Sequence, residues 1–94
     1  MFFQTNILCG LNRFRMAEPL HTPIEQYVID IVRQKRIEKG YSQKDLADLL
    51  DLSIGFIGDV ENPKYRAKYN LNHINELAKI FECNPKDFMP DTPL

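Results

Sequence analysis

Residues 33 to 62 read RQKRIEKGYSQKDLADLLDLSIGFIGDVEN, and the fold of the chain turns on how this stretch is divided. Gly40 follows Lys39 where a helix can stop, because glycine readily takes the left-handed conformation that closes helices. Ser42 then offers a hydroxyl to cap a second helix, with Leu46, Ala47, Leu49 and Leu50 as its apolar stripe. After Asp51 and Leu52, Ser53 caps a third helix, which must end at Asn62 because a residue before proline avoids the α region. Two short helices so closely spaced must cross steeply, and that needs a small residue at their closest approach. Ala47 is that residue; Leu46, Leu50 and Leu52 flank it, and Ile57 and Val60 face inward from the third helix. The stretch has the pattern of a helix-turn-helix.

Working outward, Ile24, Tyr27, Val28, Ile31 and Val32 recur at helical spacing, with Thr22 as N-cap and Pro23 in the first turn. On the other side, Leu71, Ile74, Leu77, Ala78 and Phe81 mark a fourth helix with Asn70 or Asn72 near its cap. A final turn follows, with Asn84 as cap and Pro85 in first position, so that Phe88 folds back on the core. No run of alternating β-branched residues exists. The expectation is a compact, all-α domain of about five helices, with a core of about a dozen side chains.

At this point the sequence resembles the phage-repressor-like helix-turn-helix domains of small bacterial and phage transcriptional regulators, the Cro/C1-type or XRE family. VRQKRIEKGYSQKDLADLL looks like the family's first two helices, with its Arg-x-x-Arg-x-x-x-Gly-x-Ser-Gln-x-x-Leu-Ala signature, and ECNPKDF is similar to its closing turn. The resemblance spans about Tyr27 to Phe88. It implies a lambda-repressor-like DNA-binding fold and double-stranded DNA as partner. It further implies that Gln43 grips a phosphate while Ser42 caps its helix, that Arg36 pairs with Glu61, and that Asn62 contacts the DNA backbone. Specificity in such domains is usually gained by pairing on a two-fold site, so a homodimer is expected.

The third helix departs from the family where bases are read. With residues spaced at about 100°, Ile54, Gly55, Gly58 and Asp59 turn outward while Ile57 and Val60 turn inward. None of the four outward residues can make the bidentate contacts of arginine to guanine or glutamine to adenine. Each exposed helical glycine costs about 1 kcal/mol relative to alanine, which suggests close approach of another molecule to the backbone. In a major groove, Ile54 could touch a thymine methyl and Asp59 accept from a cytosine amino group. The alternative is that this face packs against protein, as in an interaction module or the antitoxin of a toxin–antitoxin pair. Affinity for DNA would come from the flanks: Ser42, Gln43 and Lys44 at one helix start, Ser53 at the next, and the loop KYRAKY at 64–69, where Lys64, Tyr65, Arg66 and Lys68 precede Tyr69.

The 94 residues carry a formal net charge of −1, which argues neither for nor against nucleic acid. The cations are grouped, with Arg33, Lys35, Arg36 and Lys39 in one cluster and the 64–69 loop in another. His21 and His73 lack catalytic or metal-ligand spacing and read as surface or boundary residues, so no enzyme, metal or cofactor is expected. Cys9 and Cys83 are not expected to pair, consistent with a reducing cytoplasm. Residues 1–21 are expected to form a flexible extension that is neither signal peptide nor membrane span, with Met16 a possible start of translation; 22–89 form the domain and 90–94 a short tail.

Overall fold

The computed structural model describes residues 19–94, so the expectations for Cys9 and Met16, and most of those for the N-terminal extension, fall outside the described residues. Four α-helices follow in order: α1 Pro23–Glu38, α2 Gln43–Leu50, α3 Ile54–Glu61 and α4 Leu71–Phe81. The fifth expected helix is instead a single 3₁₀ turn, Pro85–Phe88. Pro85 and Pro90 bracket too few residues for an i→i+4 ladder, and the turn closes through Asp87 N–H to Asn84 O at 2.9 Å and Met89 N–H to Lys86 O at 3.1 Å. Among the described residues there is no strand, and none of the helices is long and apolar enough to cross a membrane.

Local sequence accounts for the helix starts. Thr22 with Glu25, Ser42 with Asp45, and Asn70 with His73 each form a capping box that satisfies two backbone donors at the helix mouth. Ser53 occupies the N-cap position of α3 but makes no side-chain capping bond, contrary to expectation. Gly40, at φ 76°, lets the chain leave α1, and Asp51, at φ 58°, makes the turn into α3.

The core lies where the four helices meet. Val28 and Val32 from α1, Leu46 and Ala47 from α2, Ile57 from α3, and Ile74, Leu77, Ala78 and Phe81 from α4 pack together with Phe88. Ala47 is fully buried at the α2–α3 crossing, as a steep approach requires. Three residues assigned to apolar stripes lie outside this core: Leu71 is 79% exposed at the first position of α4, Leu49 is 51% exposed on the shoulder of α2, and Ile24 is exposed near the start of α1. Ile29, outside the expected stripe, is buried. The entry to α1 is fixed by His21, which is buried with its Nε2 2.7 Å from the carbonyl oxygen of Ala67. That histidine, expected as a surface or boundary residue, is thus part of the folded unit.

Candidate nucleic-acid interface

Glu61, the last residue of α3, organises the side of the molecule where α1, α2 and α3 meet. Its carboxylate is nearly enclosed, and Arg36 grips it with two nitrogens, Nε to Oε2 at 2.9 Å and Nη2 to Oε1 at 2.8 Å. The guanidinium's remaining arm donates to the carbonyl of Tyr41 at 2.9 Å, so that α1, the α1–α2 loop and α3 are tied to one planar cation. Arg36 is therefore buried and does not contribute to a surface basic cluster. Gln43, at the first position of α2, donates Nε2 to Glu61 Oε1 at 3.0 Å.

The helix pair itself is closed by short-range bonds. Asp51 donates its N–H to Asp48 O at 3.1 Å, and Leu52 to Ala47 O at 2.9 Å, while the left-handed backbone at Asp51 turns the chain into α3. On the outer side of α3, Ile54 is 64% exposed and Asp59 is exposed. A Cβ at Gly55 would meet nothing within 4 Å. Gly58 differs from the expectation of a bare, outward position: it is half-buried, and a Cβ there would stand 3.2 Å from Oε1 of Gln43. The close approach that glycine permits at this position is already made by a side chain of the same molecule.

A family model for the Cro/C1-type HTH DNA-binding domain matches residues 32–93, which takes in the helix pair and the closing turn. The chain belongs to that family. The Cro/C1-type domain is similar to the crystal structure of the hypothetical transcription factor NHTF from Neisseria, with a TM-score of 0.60, 25% sequence identity, and 80% of this chain and 85% of that chain covered. No curated protein matches the chain.

The remaining expected contact residues of the Cro/C1-type domain are only partly brought together. Ser42 caps α2 through Asp45, and Lys44 is engaged one turn on with Asp48 at 2.9 Å. Hydrogen bonding to Ser42 holds the Asp45 carboxyl below its ordinary range, and the bond to Asp48 raises the Lys44 ammonium. Asn62 turns its Oδ1 back to accept the N–H of Lys64 at 3.0 Å, which shapes the start of the 64–69 loop. Lys64, Tyr65 and Arg66 are exposed, and among the described residues neither cation makes an ion pair. Lys68 does not share that freedom: its ammonium sits 2.9 Å from Glu25 Oε2 at the mouth of α1, and this bond is the main cause that lowers the Glu25 carboxyl.

Nor is Tyr69 a surface aromatic. Its ring lies edge-on to those of Phe56 and His73, at 6.1 Å from each. Its hydroxyl is buried without a hydrogen-bond partner among the described residues, and burial, then the charge of Glu61, pushes the phenol far above its usual range. His73 closes this cluster 5.1 Å from Phe56 and accepts the N–H of Asn70 at Nδ1, 3.1 Å away, while burial lowers its pKa. The cluster joins α3 to the loop and to α4, and no short-range spacing in the sequence announces it.

Proposed function

We propose that the chain is a DNA-binding transcriptional regulator that lays α3 in a major groove and sets Ser42, Gln43, Lys44, Ser53, Asn62, Lys64, Tyr65 and Arg66 along the phosphates on either side. The observation that carries this reading is the bare outer face of α3. At Gly55 the space a side chain would fill is open, and Ile54 stands out beside it, so a groove floor can come close to the helix backbone. In such a complex Ile54 contacts a thymine methyl and Asp59 accepts from a cytosine amino group. Lys68, held by Glu25, contributes less to phosphate binding than Lys64 and Arg66. A domain of this size reads few base pairs, so we propose a homodimer on a two-fold site.

A second reading has its own observation. Leu49 and Ile54 are both more than half exposed on either side of the turn, with Asp48, Asp51 and Asp59 nearby in the sequence. That combination suits a protein partner with an apolar, basic surface. Binding of the full chain to random-sequence and selected duplexes across a salt series separates the two. Enrichment of a defined site, with affinity falling steeply as salt rises, supports the DNA reading. Absence of duplex binding even at low salt refutes it.

A further inference from the structure

An open, polar hollow of about 580 Å³ lies between α1, α2 and α3, bordered by Arg33, Gln43, Gly58, Asp59 and Asn62 and floored by the Arg36–Glu61 pair. Glu61 Oε1 already accepts two hydrogen bonds at ordinary length, from Arg36 at 2.8 Å and Gln43 at 3.0 Å. Arg33 approaches the same oxygen, but its Nε stops at 3.7 Å, beyond a hydrogen bond, and its side chain is 58% exposed. The carboxylate's charge is matched by Arg36, so Arg33 brings a second positive charge that the floor does not neutralise. Its guanidinium has five donors, none of them in a hydrogen bond among the described residues.

We infer that Arg33 is a phosphate-binding residue, and that Arg33 and Gln43 together form a seat for one DNA phosphate, with Glu61 orienting both. The carboxylate takes one N–H of the Gln43 amide and leaves the other for an incoming oxygen. It also steers the Arg33 guanidinium to the same rim without saturating it, so its fork can close on a phosphate. At the mouth of α2 the Asp45 N–H and the Ser42 N–H are taken by the capping box, which leaves the N–H groups of Gln43 and Lys44 as the donors beside that rim, with the Asp45 carboxylate set against them. Asp59 borders the same hollow and opposes the anion, so the seat binds a phosphate only as part of the larger duplex contact.

This inference rests on the DNA reading and is tested on the full chain with a random-sequence duplex by fluorescence anisotropy. The Arg33→Gln variant is expected to bind about tenfold more weakly at about 50 mM salt, with a salt slope shallower by about 0.9. Lys79→Gln on α4, which removes the same charge from a residue paired locally with Glu76, is expected to leave the slope unchanged. Arg33→Lys is expected to keep the slope and lose part of the affinity, because it keeps the charge without the fork. The melting temperature of each variant should stay within a few degrees of the parent, since an exposed ion pair contributes little. If the parent binds and Arg33→Gln shows its slope and affinity, Arg33 touches no phosphate and the inference is overturned while the DNA reading stands. If the parent binds no duplex, the DNA reading itself fails and takes the seat with it.

Discussion

Gly55 and Gly58 lie one turn apart on α3, and alanine should stabilise the first while leaving the second nearly unchanged. At Gly55 an added methyl meets nothing within 4 Å, so the substitution gains helix propensity alone, about 1 kcal/mol. For a domain of this size that raises the melting temperature by about 4–8 °C. At Gly58 the same propensity is gained, but the new Cβ would stand 3.2 Å from Gln43 Oε1. Gln43 is an exposed, flexible side chain and can give way, at the loss of its hydrogen bond to Glu61, about 0.5–1.5 kcal/mol. The two effects nearly cancel, so Gly58→Ala should melt within about 3 °C of the parent. Function separates them further. Gly55→Leu should fold normally and lose specific DNA binding by obstruction of the groove, whereas Gly58→Ala should weaken binding to specific and random duplexes alike, through a displaced Gln43. Thermal melts monitored by circular dichroism, with anisotropy titrations on both duplexes, measure all of this. The reasoning is refuted if Gly58→Ala gains as much stability as Gly55→Ala and binds DNA unchanged, or if Gly55→Leu binds a selected site normally.

Removal of one partner from the Arg36–Glu61 pair, as in Glu61→Leu, should cost about 3–5 kcal/mol because a buried guanidinium is left without its counter-charge, and chemical denaturation should show a midpoint far below the parent's. Burial of His73 lowers its pKa below the ordinary 6.5, so the unfolded chain takes up a proton more readily; stability is complete above about pH 6.5, falls as the pH drops through the depressed value, and levels off below it. A His73→Gln variant should lack that step, and a pH series of denaturant midpoints that retains it in the variant would assign the step elsewhere. Glu25 and Asp45, whose carboxyls are also depressed, lose their contributions only in stronger acid, as the pH falls through values below 4.5 and 3.8. Deletion of residues 1–15, proposed here to lie outside the folded unit, should leave the melting temperature within a few degrees; a drop of ten or more would show that those residues pack against it.

What the sequence disclosed and what it withheld divide by distance along the chain. The capping residues Thr22, Ser42 and Asn70 act on backbone three positions away, so spacing alone identifies them. The inward set Leu46, Ala47, Ile57 and Val60 follows from helical period and the demands of a steep crossing. The Arg36–Glu61 pair, separated by 25 positions, was available only through family resemblance. Nothing local marks Lys68 for Glu25 or His21 for Ala67, which are 43 and 46 positions apart. Spacing alone therefore presents Lys68 as a free cation and His21 as a surface or boundary residue. Gly58 is hidden from the sequence for a related reason: a helical wheel gives the direction a residue faces but not whether a neighbouring helix lays a side chain across it.

The bond between His21 and the Ala67 carbonyl fixes where the chain enters the domain. It sets His21 against the 64–69 loop, between the positions of Arg66 and Lys68 in sequence, so the start of the described chain and the cationic loop are held together. A fluorophore coupled at position 19, two residues ahead of that contact, becomes a proximity reporter for the loop, and under the DNA reading its emission should change when duplex is added.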